Sequence, residues 1–186
     1  MFGDYFYHQT LRKMTIAFGQ IFNNIQIKRK DSNGNVIQSI KVPLAYAPKE
    51  KFLTRLDQQP NLTDRQFAVT LPRLSFEITG LSYDGSRKLT RIQKFKTVKS
   101  NIDGKVMNFN YTPVPYDLGF SLYSFTASAE AGLQIVEQII PFFQPDYTVT
   151  INAIPELSIK RDVPIILNSV NYQDTYDGGY TTRRAV

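Results

Sequence analysis

The sequence has no cysteine, no tryptophan and a single histidine, His8, among its 186 residues. Without cysteine the chain forms no disulfide and offers no thiolate ligand to a metal. A Ser-His-Asp arrangement would have to use His8, which lies among aromatic residues near the N-terminus, and no nucleophile-elbow motif is present. A zinc site would need several nitrogen or sulfur ligands that the sequence lacks. We therefore expect a protein that is not an enzyme and that holds no metal and no cofactor.

Long apolar runs are also missing. No stretch reaches the roughly 18 apolar residues that a membrane-spanning helix needs, and the N-terminal segment "MFGDYFYHQTLRKM" lacks a basic region followed by an apolar one. We expect neither contact with a membrane nor a signal peptide. The segment "DSNGN" resembles the opening of a calcium loop, but Val42 stands where such a loop needs a bidentate glutamate.

Positive charge and aromatic side chains are abundant. The formal net charge is +6, and the chain carries 13 phenylalanines and 11 tyrosines. Excess positive charge favours an acidic partner, which is either nucleic acid or the acidic face of a protein. Aromatic residues are typical of both cores and interfaces. The length and the 42% of hydrophobic residues predict one domain over residues 1–186.

Hydrophobic periodicity predicts two main helices. The first runs from about Tyr5 to Phe22 and the second from about Ser128 to Phe143, with a short helix in "APKEKFLTRLDQQ" between them. Several strand-like runs lie between and after these helices, in "RQFAVTLPRLSFEITGLSYDG" on either side of Pro72 and in "YTVTINAI" and "DVPIILNSVNYQ". This order predicts an α+β fold in which two main helices pack on a mainly antiparallel sheet.

Turn residues predict where the strands reverse. "NIQIKRK" and "VIQSIKVPL" flank Asn33-Gly34, a pair that tolerates positive φ, so the two runs are expected to form a hairpin with Ile25 and Ile27 on one face. A second turn is expected at Asp103-Gly104.

One stretch between these turns contains six cations and no acidic residue. We interpret it as a basic arm near residues 85–105 that binds a partner, because a half-buried strand would bury its charges. An ordinary solvated loop is the alternative, and Phe95 within the stretch keeps a nucleic-acid surface open, with cations for phosphates and an aromatic ring for stacking. The candidate partner-binding residues are Arg87, Lys88, Arg91, Lys94, Lys96 and Lys99.

The second helix is apolar on two faces. We expect a stripe of Leu133, Val136, Ile140 and Phe143 to pack against the sheet, and Pro141 to end or kink the helix because it lacks an amide hydrogen. A helix with two apolar faces is either deeply buried or shared with a neighbouring subunit. The candidate interface residues on the second face are Ile135, Ile139 and Phe142.

Six stretches, in this order, resemble the tail sheath stabiliser or tail-completion family of T-even-like contractile-tailed phages. They are "FYHQTLRKMTIAFGQIFNNIQIKRK", "VPLAYAPKEKF", "LPRLSF", "YTPVPYDL", "QIVEQIIPFFQPDY" and "SIKRDVPIILNSV". The resemblance implies a fold like that of phage tail terminators and a non-enzymatic, hexameric ring. Such a ring caps the tail tube and contractile sheath at the head-proximal end of the virion tail, offers a docking face to the neck and is assembled in the host cytoplasm.

The partners that the resemblance implies are further copies of the chain, the tail sheath protein, a tube or tube-terminator protein and a head-neck protein, with transient contact with passing DNA. Members of the family continue past the arginine pair, whereas this sequence stops at "TTRRAV", so a truncated C-terminal end is one interpretation and a naturally short chain the other. A basic nucleic-acid-binding protein is the alternative function. A hydrolase with paired carboxylates is a third and weaker hypothesis, to which no motif points.

Overall fold

The computed structural model describes residues 7–51, 54, 71–90, 92–101, 104–154, 159–176 and 183–185. Its two main helices are α1 (Thr10–Ile21) and α2 (Ala129–Ile139), and a 3₁₀ helix (Ile140–Phe142) follows α2 directly. The strands are β1 (Gln26–Lys30), β2 (Val36–Lys41), β3 (Leu44–Tyr46), β4 (Arg73–Tyr83), β5 (Lys94–Asn101), β6 (Gly104–Tyr111), β7 (Tyr116–Phe125), β8 (Asp146–Ile154), β9 (Ile159–Ile166), β10 (Asp174–Tyr176) and β11 (Arg183–Ala185).

The predicted α+β class is confirmed, and nearly all strand pairs are antiparallel. The described strands do not form one sheet, however. β3, β4 and β7 form a three-stranded sheet in which β3 and β4 run parallel, and four two-stranded sheets surround it: β1-β2, β5-β6, β8-β9 and β10-β11. Alternation was visible in the sequences of β1 and β4, but the number of sheets depends on which strands meet in space.

The hairpin at Asn33-Gly34 is confirmed. β1 and β2 pair antiparallel, and Gly34 has a φ of 82°, in the left-handed region that favours glycine. The turn is closed by two backbone hydrogen bonds, from Gly34 N to Asp31 O at 2.8 Å and from Asp31 N to Asn35 O at 2.9 Å. Ile25 and Ile27 are both buried, as the alternation predicted.

The core lies where α1 and α2 pack against the strands. Phe18 of α1 and Phe22, directly after it, are both buried there, and the Phe18 ring stacks on that of Phe120 with centroids 4.2 Å apart. α1 approaches β4 so closely at Gly19 that an added β-carbon would lie 2.9 Å from Cζ of Phe76. The buried residues of the core cluster are Phe18, Phe22, Ile25, Ile27, Val42, Leu74, Phe76 and Ile135.

The predicted start of the first helix is wrong. α1 begins at Thr10, because Gln9 has a left-handed φ of 57° that no α-helix can continue. Tyr5, where the helix was expected to begin, lies outside the described residues. Of the short helix, residues 49–51 and Thr54 are helical, and its remainder lies outside the described residues, as does the run before Leu71. No helix in the described ranges is long and apolar enough to cross a membrane.

α2 begins and ends where its sequence predicts. Ser128 is its N-cap, with Oγ accepting a hydrogen bond from Ala131 N at 3.3 Å. The α-helix ends at Ile139, because Pro141 has no amide hydrogen to extend it. The chain then tightens into the 3₁₀ helix, closed by the bond from Phe143 N to Ile140 O at 3.1 Å.

The predicted stripe of α2 that packs against the strands is correct only in part. Leu133 and Ile140, expected to be buried, are 54% and 45% exposed, whereas Ile135 is fully buried in the core at 0%. Phe143 packs inward, 6.4 Å from Phe22 between ring centroids, and its neighbour Phe142 is 65% exposed. Both stripes are apolar, so hydropathy alone did not distinguish the face that meets the strands.

Candidate interaction surfaces

The hairpin of β5 and β6 has one face that combines lysines with apolar and aromatic side chains. Direct pairing across the two strands places Lys94 opposite Tyr111, Lys96 opposite Phe109 and Val98 opposite Met107. Residues paired in this way share a face of the sheet. We call these six residues the hairpin face: Lys94, Lys96, Val98, Met107, Phe109 and Tyr111.

Every side chain of the hairpin face is exposed. Lys94 Nζ lies 5.1 Å from the ring centroid of Phe109 and 4.9 Å from that of Tyr111, within the range of cation–π attraction. The two rings meet edge to face with centroids 5.9 Å apart. Val98, Met107, Phe109 and Tyr111 are each more than half exposed. An exposed apolar surface of this kind, fringed by charge, is typical of a site of protein association.

The side chains of four of the six predicted cations belong to the described part of the chain. Lys94 and Lys96 lie together on the hairpin face and Lys88 is exposed before it. Lys99 belongs to β5, but its side chain is outside the description, and Arg91 lies wholly outside the described residues.

Arg87 differs from the other predicted cations whose side chains are described, because it pairs with acidic neighbours. Its Nε donates to Asp84 Oδ2 and its Nη2 to Asp117 Oδ1, so it ties the turn after β4 to the start of β7. Arg87 is thus paired with two carboxylates while its side chain stays 52% exposed, and its role in partner binding stays a prediction. Hydrogen bonds from the Ser86 side chain and then from Arg87 lower the pKa of Asp84 from 3.8 to about 2.

The solvent-facing side of α2 alternates charged and apolar residues. Glu130, Leu133, Glu137 and Ile140 are all exposed, and their spacing puts them on one side of the helix. We call these four residues the α2 outer face. The α2 outer face thus combines negative charges with apolar side chains, whereas the hairpin face combines positive charges with apolar side chains.

Of the three predicted interface residues, only Phe142 is exposed. Ile135 is completely buried, so its side chain has no surface to offer a neighbouring subunit, and its prediction as an interface residue is wrong. Ile139 is half-buried against the same core cluster. The sequence did contain a signal for the true outer face, because Glu130 and Glu137 mark the polar side of the helix.

A second basic surface was missed. Alternation along β1 and β2 puts Lys28, Lys30 and Lys41 on one exposed face, where Gln26 accepts a hydrogen bond from Ser39 Oγ at 3.0 Å. The run "KRK" at the end of β1 was the available signal. The alternation of "NIQIKRK" predicts a strand, and the lysines on one of its faces also indicate a basic surface.

The side chains of the described residues are arranged for association. The Tyr123 hydroxyl donates a hydrogen bond to Glu77 Oε1 at 2.9 Å. This bond is the largest cause, and burial the second, of a raised pKa for Tyr123. Within the described ranges no cluster of three or more His, Asp or Glu side chains is placed to hold a metal ion. The hairpin face and the α2 outer face are exposed apolar and charged surfaces, of the kind at which proteins associate.

Comparison with known proteins identifies the family to which the chain belongs. The family described as T4-like virus Myoviridae tail sheath stabiliser matches residues 5–186. The tail completion protein gp15 of Enterobacteria phage T4 is 33% identical over 195 residues, an alignment that covers 100% of this chain and 68% of that protein. The chain belongs to the tail sheath stabiliser family and is a structural protein of a contractile viral tail.

Proposed function

We propose that the protein forms a closed hexameric ring at the head-proximal end of the tail. The ring caps the tail tube and the contractile sheath and presents a docking face to the neck. It acts by assembly and catalyses no reaction. Its partners are the sheath protein, a tube or tube-terminator protein, a head-neck protein and its own copies, and it joins the tail in the host cytoplasm.

The exposed apolar side chains of the described residues carry this proposal. In the described residues 25 large hydrophobic side chains are exposed, against 11 hydrophobic residues that are buried. Surface in this excess is what an assembled subunit covers with its neighbours.

Within that ring we assign partner binding to the basic arm. The arm, near residues 85–105, takes in the turn before β5, β5 itself and the start of β6, and it belongs to the same single domain as the rest of the chain. In a ring the arms repeat around the axis and make a collar of positive charge. Lys88, Lys94 and Lys96 are its described cations with no acidic partner in the described ranges.

Electron microscopy of tails that lack the protein tests the proposal. Adding the purified chain to such tails should place a ring at one end only, and free sheath should then no longer depolymerise from that end. Sedimentation of the chain with tails gives the stoichiometry. A chain that stays monomeric both in solution and on tails would overturn the ring.

Nucleic-acid binding is a second candidate, supported by the lysine and aromatic residues of the hairpin face. Cations for phosphates and rings for stacking are the components of a single-strand binding surface. Fluorescence anisotropy with labelled DNA between about 50 and 200 mM salt distinguishes the candidates, because phosphate contacts make affinity fall steeply over that range. We expect the protein to bind DNA only weakly at about 50 mM salt and to form a ring on tails at both salt concentrations.

A further inference from the structure

We propose that the hairpin face of one subunit docks on the α2 outer face of the next copy of the chain. This inference rests on the proposed ring and names the contact that closes it. The juxtaposition is between chains: Lys94 and Lys96 of one copy meet Glu130 and Glu137 of its neighbour.

The apolar side chains of the hairpin face are exposed to water, and a partner that buries them would stabilise the hairpin. β5 pairs with β6 in a sheet of its own, and a lone two-stranded hairpin is marginally stable in water. Its apolar members are exposed by 53% to 60%. A partner that covers them stabilises the hairpin and removes four large apolar side chains from water.

The charges of the two faces are complementary. The hairpin face carries two lysines and no carboxylate, and the α2 outer face carries two glutamates and no cation. Among the described residues the ion pairs are those of Arg87 with Asp84 and Asp117, so the four charges just named are available to a neighbour. Like charges set against each other would be unfavourable, so neither face suits a second copy of itself.

The dimensions of the two faces also agree. Leu133 and Ile140 lie two helical turns apart, about 10 Å along the α2 axis. Met107 and Tyr111, the ends of the apolar row on β6, are four residues apart, about 13 Å. Leu133 and Ile140 therefore span a similar length. Lys94 and Lys96 are about 7 Å apart along β5 and Glu130 and Glu137 about 10 Å apart along α2. Lysine side chains are long enough to adjust to the small difference in length.

The contact has the symmetry that a ring requires. Two different patches of one chain meet, which is a heterologous interface, and such interfaces close into rings when the rotation between subunits allows it. A patch that bound its own copy would give a two-fold dimer instead. An acidic sheath subunit is the competing occupant of the hairpin face, and the experiment below separates the two.

Charge reversal tests the pairing between copies. The first variant is Lys94→Glu with Lys96→Glu, and the second is Glu130→Lys with Glu137→Lys. All four side chains are exposed, so each variant should fold with unchanged circular dichroism and melting temperature. Each alone should lose rings on tails, by at least tenfold in occupancy counted by electron microscopy.

Mixing the two variants in equal amounts should restore the rings. In a ring that alternates the two variants, the reversed hairpin face of one variant meets the reversed α2 outer face of the other. At the next interface the two native faces meet. A ring with an even number of subunits can close in this way. The matched control is Lys28→Glu with Lys30→Glu, which changes two lysines at the same spacing on the other exposed hairpin and should leave rings intact.

Three results would overturn the inference. One is a wild-type level of rings in both variants, which leaves the proposed ring standing and removes this contact from it. Another is the loss of rings in the hairpin variant alone, which assigns the hairpin face to the sheath. The last is failure of the mixture to restore rings. Absence of rings with the wild-type chain would instead contradict the proposed function itself.

Discussion

Gln138 on α2 donates from its side-chain Nε2 to the backbone carbonyl of Gln26 on β1 at 2.8 Å. Its Oε1 accepts from the Gln26 amide at 3.4 Å, and Gln134 Oε1 accepts from the Lys28 amide at 3.1 Å. The two glutamines thus occupy the edge of β1 that β2 does not pair with. One helical turn and two strand residues both span about 6 Å, so the side chains match the open amides of the edge. An open edge would invite pairing with other chains.

Removing these glutamines should loosen β1 locally. Gln134→Ala should speed hydrogen exchange of the Lys28 amide, and Gln138→Ala that of the Gln26 amide, because each amide loses its acceptor. Each change should lower the free energy of unfolding by about 0.5–1.5 kcal/mol, as for an ordinary hydrogen bond. Amide exchange followed by NMR checks both, and each variant is the control for the other. Equal acceleration of both amides in either variant would contradict the assignment of one glutamine to each strand residue.

Position 34 favours glycine because of its backbone conformation and not because a side chain would lack space. Its φ is 82°, and an added β-carbon would meet no described atom within 4 Å. Gly34→Val should therefore destabilise the hairpin by about 1–2 kcal/mol, the penalty of a left-handed conformation for an ordinary residue. Gly34→Asn is the matched control and should cost less, because asparagine tolerates this region. Thermal unfolding of the two variants measures the difference, and equal melting temperatures would argue against a strained turn.

Local chemistry was predictable from the sequence where a few neighbouring residues decide it. The turn at Asn33-Gly34 depends on a pair of residues that tolerate positive φ, and the end of α2 depends on Pro141. Both predictions are confirmed.

Features that depend on distant residues were not predictable in the same way. Arg87 is neutralised in part by Asp117, which lies 30 residues away in the sequence. Leu133, Ile135 and Ile140 were misassigned because both stripes of α2 are apolar. The side of α2 that meets β1 depends on residues distant in sequence, where Gln134 and Gln138 bond to the β1 backbone. The hairpin face was missed for a related reason: Lys94 meets Phe109 and Tyr111 only through the register of β5 with β6.

Gly19 allows α1 to lie directly on β4. Gly19→Ala should add about 1 kcal/mol of helix propensity but place a β-carbon 2.9 Å from Phe76 Cζ. Overpacking in a well-packed core costs about 1–3 kcal/mol, and the Phe76 ring is buried and cannot easily move. The expected net result is a loss of up to about 2 kcal/mol, which denaturant unfolding measures. Gln20→Ala, on the exposed side of the same turn, should leave stability nearly unchanged; a more stable Gly19→Ala protein would show that the contact is loose.

Asp84 should titrate well below an ordinary carboxyl group. Ser86 Oγ and the Ser86 amide donate to its Oδ1 at 2.6 and 2.8 Å, and the pKa is lowered from 3.8 to about 2. Because the folded-state pKa is the lower one, the stabilisation is complete above about pH 4 and is lost as the pH falls toward 2. Ser86→Ala should raise the pKa of Asp84, since the Ser86 side chain is the largest cause of the shift. Carboxyl NMR titration checks this, with Ser82→Ala as the unaffected control.

Ile135 and Leu133 should respond in opposite ways to truncation, because the first is in the core and the second is on the α2 outer face. Ile135→Ala removes a side chain with 0% exposure and should cost about 2–5 kcal/mol of stability. Leu133→Ala, at 54% exposure, should change the free energy of unfolding by no more than about 0.5 kcal/mol. It should nevertheless weaken ring formation on tails, because the α2 outer face loses an apolar contact. Urea unfolding and ring occupancy measure the two effects, and a Leu133→Ala protein that is strongly destabilised yet assembles normally would show that the faces of α2 are assigned the wrong way round.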